Sequence, residues 1–216
     1  NRWGLLRFSA TIQAVTDNQL IEPSDYVRSL PIGERIPLPA DGIPFWEVFP
    51  YEGDIQIKVL EPPVLPEPPR NGEHGTEDCF TCKQGADDPV VIWANDNWMV
   101  RTVSEPAALP AMLMLVPRAH HDLVDLPPEL AAEMGGMIQR VERAILSLGG
   151  IARVHVNRWG DGGAHLHWWL IARPEGMMQL RGTCLPLWDD VLPKQSPEAW
   201  ARTNRRLAEA LAADGQ

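Results

Sequence analysis

The run Gly162-Gly163-Ala164-His165-Leu166-His167-Trp168-Trp169-Leu170-Ile171-Ala172-Arg173 constrains this chain more than any other segment, because it sets two histidines and a tryptophan at alternate places in an apolar stretch. Alternation with period two belongs to a β-strand, which turns residues 165, 167 and 169 to one face and residues 166, 168 and 170 to the other. The Gly-Gly before it predicts a tight turn into that strand. Upstream stands Cys79-x-x-Cys82, and His120-His121 follows Val116-Pro117-Arg118 between the two. A thiol pair on one turn, with imidazoles on separate elements, supplies the donor types that a tetrahedral metal ion takes.

Together these residues resemble the histidine triad superfamily, nucleotidyl hydrolases and transferases with the signature His-φ-His-φ-His-φ-φ, where φ is apolar. The resemblance runs from about Glu77 to Pro174. It is nearest to the zinc-containing branch that includes galactose-1-phosphate uridylyltransferase, in which a Cys-x-x-Cys precedes the catalytic strand. It implies structural zinc held by Cys79, Cys82, His120 and His165, with His121 as the competing choice for His120. Four protein ligands leave no open position for water, so the metal would hold the fold and perform no chemistry.

The middle position of the triad is His167, and the resemblance makes it the nucleophile that attacks the α-phosphorus of a nucleotide to form a nucleotidyl-histidine intermediate. That chemistry needs a neutral imidazole whose tautomer is fixed by a hydrogen bond at one nitrogen. Asn157 matches the asparagine of the family pattern. Gly162 and Gly163 are the expected backbone donors to substrate, Trp169 the expected stacking surface, and Arg158 or Arg173 the expected cation.

Two departures bear on this reading. Trp169 stands where the family has a third His, or Gln in the uridylyltransferase branch, and indole offers one N–H donor with no acid function near neutral pH. The loop from Asn157 to His165 is also short, without Ser, Thr or Gln donors. Three functions therefore compete: a nucleotidyl hydrolase or transferase acting on a phosphoanhydride or phosphoramidate, a noncatalytic module binding a nucleotide or a protein, and altered chemistry on a non-nucleotide substrate. The resemblance implies a homodimer sharing an antiparallel sheet, the N-terminal extension being the other candidate to cover that edge.

The rest of the chain supplies the frame. Val90–Trp93 and Trp98–Val103 flank Ala94-Asn95-Asp96-Asn97 as a hairpin, Met112–Val116 is an apolar strand, and Val154–Asn157 another. Leu130, Met134, Met137, Ile138, Val141, Ile145 and Leu148 recur at helical spacing before Gly149-Gly150, and Trp200, Asn204, Leu207 and Leu211 share a face of a helix expected over 197–212. The expected fold is α+β: an antiparallel sheet of histidine-triad type with one long helix, an N-terminal extension and a C-terminal helix. Residues 1–60 read as an extension of short strands and turns, with a strand at Asp54–Val59. A Pro-rich linker follows over 61–76, then the triad-like domain over 77–175 and a tail over 176–216.

A formal net charge of -10 argues against a nucleic-acid polymer, whose binding depends on Lys and Arg at phosphates. No apolar stretch nears the roughly 20 residues of a membrane span, and the start lacks an apolar signal core, so the expected setting is cytoplasmic, with no membrane partner. Of the three cysteines, Cys184 reads as a small buried residue. His155 reads as a core histidine, His74 as a solvated loop residue, Trp188-Asp189-Asp190 as a solvated turn, and Arg202, Arg205 and Arg206 as an exposed helix face.

Overall fold

The computed structural model describes residues 24–34, 40, 51–52, 56–57 and 67–213. Its elements run α1 (Asp25–Ser29), β1 (Tyr51–Glu52), β2 (Gln56–Ile57), α2 (Phe80–Gln84), β3 (Val91–Ala94), β4 (Trp98–Thr102), β5 (Met112–Pro117), α3 (Pro128–Leu146), β6 (Ile151–Asn157), β7 (Trp168–Pro174), α4 (Leu185–Val191) and α5 (Pro197–Ala213). Five strands form one sheet in the order β3-β4-β5-β7-β6, every neighbouring pair antiparallel. The expected α+β class is the one observed. Most of the N-terminal extension lies outside the described residues; within the strand expected at Asp54–Val59, Gln56–Ile57 pairs with Tyr51–Glu52.

Alternation decides which residues each face of the sheet buries. Trp98, Val100, Leu113, Leu115, Leu170 and Ala172 point to the side covered by α3 and α5, where they meet Met137, Val141, Ile145, Leu207 and Leu211 in the larger core. Met112 and Ile171 point to the other side and pack with Leu109, Leu180, Leu185 and Trp200. Both helices follow from their apolar periodicity. Burying each Leu or Ile of these stripes contributes on the order of 1.5–3 kcal/mol, well above what helix propensity offers.

The ends of the elements have local causes. Pro128 opens α3 where a missing N–H does no harm, and Glu129 lies in its first turn. The helix stops at Leu146, two residues before the last of the expected apolar stripe, and Gly149 and Gly150 follow with φ of 77° and 65°. A Cβ at Gly150 would lie 2.7 Å from the Cβ of Ser24, so this glycine admits the residue that caps α1. In the β3–β4 hairpin the Asn95 side chain accepts from the backbone N–H of Asn97 and Trp98, the turn chemistry expected of that tetrad.

Four expectations need correction. The strand expected to hold His165 and His167 begins only at Trp168, so both histidines lie in the irregular segment leading into β7. Gly163 within that approach bridges to Asn71 and not to the main sheet, which explains the late start. Cys184 is exposed, because it sits in the 3-10 turn Gly182–Cys184 ahead of α4. Trp188-Asp189-Asp190 is helical, and Asp189 is buried: its Oδ1 accepts from the backbone N–H of Ala108 at 2.7 Å and of Leu109 at 2.8 Å. His155 is half-buried on β6, whereas His74 and the three arginines of α5 are exposed as expected. Among the described residues no helix is long and apolar enough to cross a membrane.

Candidate metal centre and imidazole site

Three elements converge at one end of the sheet. Cys79 caps α2 and accepts from the N–H of Cys82 through its own sulfur, a consequence of placing two cysteines one turn apart. His120 follows β5, and His165 lies just ahead of β7. The donor atoms of Cys79, Cys82, His120 and His165 all lie within 4.8 Å of one another. It is His120, and not its neighbour His121, that stands in this cluster; the backbone carbonyl of His121 accepts from Leu166 N–H instead.

The distances fit a tetrahedral ion. Cys79 Sγ lies 3.4 Å and Cys82 Sγ 3.5 Å from His165 Nδ1, and Cys82 Sγ lies 3.3 Å from His120 Nδ1. A tetrahedron with metal–sulfur bonds of about 2.3 Å and metal–nitrogen bonds of about 2.0 Å has S–N edges of about 3.5 Å. Both imidazoles aim Nδ1 inward. Each places Nε2 on a backbone carbonyl, His165 on Pro117 at 2.8 Å and His120 on Gly72 at 3.1 Å, and donation there fixes the tautomer that leaves Nδ1 free for an ion.

Electrostatics point the same way. Burial, with Cys79 alongside, pushes the Cys82 thiol up to about 11, so thiolates are disfavoured here unless a cation balances them. Burial also holds His165 below the usual imidazole value, against the opposing effect of its bond to Pro117, and so favours the neutral ligand form. The buried Arg101 of β4 reaches beneath the turn, donating to Thr81 Oγ1 at 3.1 Å and to Gln84 Oε1, and thereby ties α2 to the sheet.

His167 lies two residues beyond His165. Its Nδ1 faces the carbonyl of His165 at 2.8 Å, while Nε2 has no hydrogen-bond partner among the described residues. Gly163 approaches closely: a Cβ placed on it would lie 3.8 Å from His167 Cε1. The glycine loop is held from outside by Asn71, whose N–H donates to Gly162 O at 3.1 Å and whose carbonyl accepts from Ala164 N–H at 2.9 Å.

The other expected substrate-binding residues divide into two groups. Asn157 ends β6 directly opposite Trp169 of β7, so the two share the face that α3 does not cover; Trp168 points the other way, its indole N–H donating to Met134 Sδ. The arginines are engaged elsewhere. Arg158 donates to Asp122 Oδ1 at 2.5 Å, and Arg173, six residues or roughly 20 Å of strand beyond His167, faces Met177 O at 3.5 Å.

Three residues went unnoticed in the sequence. Asn71 accepts from Phe80 N–H through Oδ1 and donates to Asp78 O through Nδ2, which closes the cysteine turn. Gly72 next to it has φ 79°, and a Cβ there would lie 3.0 Å from His120 Cε1 and 3.1 Å from Cys79 Cβ. Asp122 receives Arg158 and Arg70, the latter at 2.8 Å, and Arg70 also donates to Gly160 O. The Asn-Gly dipeptide was the signal available for the first two, since it marks turns; Asp122 offered none.

No protein-family model matches this chain, and no curated protein matches it. Among solved structures it is similar to a Zn-bound histidine triad family protein from Mycobacterium smegmatis, at 23% identity over 65% of this chain and 98% of that one, with a TM-score of 0.47. A histidine triad protein from Bradyrhizobium japonicum is 23% identical over 57% of this chain and 88% of that one, with a TM-score of 0.44. One from Marinobacter aquaeolei VT8 is 20% identical over 57% and 88%, with a TM-score of 0.46.

Proposed function

We propose that this chain is a histidine-triad-like nucleotidyl hydrolase or transferase, with zinc as the structural ion of the Cys79, Cys82, His120 and His165 cluster. The observation that carries the reading is the state of His167: one ring nitrogen held by a backbone carbonyl, the other without a partner among the described residues, beside a glycine. A proton on Nδ1 bonded to His165 O leaves a lone pair on Nε2. Nε2 attacks the α-phosphorus of a phosphoanhydride or phosphoramidate, a P–N bond forms, and the bond to the leaving group breaks. Water or another acceptor then attacks the same phosphorus and releases the imidazole.

In this scheme the chain's residues act by positioning. Zinc, when bound, ties α2, the end of β5 and the approach to β7 together, and takes no part in the reaction. The N–H groups of Gly162 and Gly163 face the phosphate oxygens, with Asn157 and Trp169 at the side of the substrate. A proton for the leaving group comes from solvent or from the leaving group's own acid form, because Trp169 has none to give. β6, an edge strand among the described residues, is where a second copy would extend the sheet.

A noncatalytic nucleotide-binding role is the second reading, and the engagement of Arg158 with Asp122 favours it by removing one phosphate cation. Nucleotide release from adenosine 5′-phosphoramidate, compared between wild type and His167→Ala at equal metal content, separates the two. Release that disappears in the variant supports the enzyme; nucleotide binding without release in either protein supports the second reading.

A further inference from the structure

On the sheet face that α3 leaves uncovered, a cavity of about 370 Å³ opens between Trp159, Trp169 and α4, within the roughly 300–1,000 Å³ of small-molecule sites. It adjoins residues already placed beside the substrate. Trp159 stands two residues beyond Asn157 at the start of the glycine loop, and Trp169 pairs with Asn157 across β6 and β7. His167 is not among the lining residues, so the cavity continues the site away from the reacting atoms. Its floor is apolar, made of Met112 and Ile171, and its two indoles stand with ring centroids 6.3 Å apart and planes tilted by 56°. Such faces take a flat heterocycle by stacking.

The far wall carries the polar groups. Asp189 is committed: one carboxylate oxygen holds two backbone N–H groups, and the other lies 2.8 Å from Lys194 Nζ. Lys194 also donates to Asp189 O at 2.7 Å, which leaves the third N–H of its ammonium group free of protein bonds. Asp190 is half-buried, and it has no hydrogen bond or ion pair among the described residues. Burial holds its carboxyl above the usual carboxylate value, as expected of a group drawn from water without donors in exchange. The wall therefore supplies a carboxylate in need of donors and an ammonium group with one N–H to give.

A carboxylate accepts two N–H bonds at once when the donors are parallel neighbours. Among the common bases guanine carries such a pair, N1–H and N2–H, with the acceptor O6 next to them. Adenine and cytosine present one amino group beside a ring-nitrogen lone pair, and uracil presents one N–H between two carbonyls; each would set a lone pair against Asp190. We propose that this cavity holds the base of the nucleotide and selects guanine, with Asp190 accepting from N1–H and N2–H, Lys194 donating to O6, and an indole against the ring. The inference rests on the nucleotide reading given above and adds a base preference to it.

Nucleoside 5′-monophosphates lack a leaving group on phosphorus, so their affinities report on the site without turnover. GMP, IMP, AMP and UMP titrated into the metal-loaded protein by calorimetry test the assignment. GMP is expected to bind at least about tenfold more tightly than AMP or UMP, with IMP, which keeps N1–H and O6 but lacks the 2-amino group, in between. Asp190→Asn should bring GMP to within about threefold of AMP, because an amide presents one acceptor and one donor in place of two acceptors. Trp159→Ala should weaken GMP and IMP alike and keep their order. Equal affinities for GMP and AMP, an undiminished preference in a folded Asp190→Asn protein, or equal weakening of all four nucleotides by that substitution, as a carboxylate bonded to ribose would give, would each overturn the base assignment and leave the nucleotide reading standing. Failure of all four to bind at millimolar concentration would overturn both. Selective GMP binding in a protein that releases no nucleotide from a phosphoramidate would support this assignment while the catalytic reading fails.

Discussion

Asn71 holds Phe80 from the side of the glycine loop: its Oδ1 accepts the backbone N–H of Phe80 at 2.9 Å while its main chain clasps Gly162 and Ala164. One residue thus fixes both the turn that carries the two cysteines and the approach that carries His165 and His167. Supporting contacts of this kind commonly change metal affinity about 10- to 100-fold when removed. Asn71→Ala should lower metal affinity by that amount without deleting a ligand, measured by competition with a chromophoric chelator. Unchanged affinity would show that the cysteine turn needs no external brace.

The three thiols should react in two classes. Cys184 is exposed, whereas Cys79 is buried and Cys82 partly so. With metal bound, a thiol-counting reagent should titrate one fast thiol; after chelation, three. Cys184→Ser should remove the fast phase and keep the metal, and Cys82→Ser should lose the metal. A single fast class in the loaded protein would contradict the cluster.

Asp189 anchors the loop before β5 to α4. Replacing it by Ala leaves the N–H groups of Ala108 and Leu109 unpaired in the interior, at a cost of about 2–4 kcal/mol, with Asn costing less because its amide oxygen still accepts both. Urea unfolding of the two variants checks the order. Equal losses would mean that the charge, through Lys194, outweighs the two backbone bonds.

Tyr26 predicts an alkaline limit to stability. Its hydroxyl donates to Ala108 O at 2.7 Å, and burial, assisted by the charge of Asp189, raises its pKa well above the usual phenol value. Because the folded value exceeds the unfolded one of about 10, the contribution is whole below pH 10 and is lost as the pH climbs above it. Tyr26→Phe should cost about 0.5–1.5 kcal/mol at pH 8 and show a flatter decline between pH 10 and 11 in urea melts. An identical decline in both proteins would assign the alkaline loss to other groups.

Much of this architecture was legible because it rests on local pattern. The α3 stripe, the Asn95 hairpin turn and the two-sided alternation of Trp168 and Trp169 all follow from spacing along one segment. The convergence of the Cys-x-x-Cys turn with His120 and His165 was legible only through family resemblance, since nothing local brings residues 79, 120 and 165 together. Asp189 was misread for a related reason: a carboxylate beside another carboxylate looks solvated until the buried N–H groups of Ala108 and Leu109, some 80 positions away, come to meet it. The start of β7 was misplaced because alternation describes a residue pattern, while a strand also needs a neighbour, and His165 and His167 have the Asn71 segment and the β5 exit beside them in place of a partner strand.

The link from Arg70 to Gly160 closes a loop of 90 positions, and the bridge from Asn71 to Gly163 one of similar length, whereas β6 and β7 meet across a short connection. Long closures lose more chain entropy and are rewarded only once the local pairings exist. In kinetic terms, refolding should therefore produce the sheet with its helices before it produces the cysteine-histidine cluster, so that regain of secondary structure after dilution from urea runs ahead of regain of metal capture. Synthesis from the N-terminus imposes the same order: the segment that braces the site leaves the ribosome early and waits for its partner to be made.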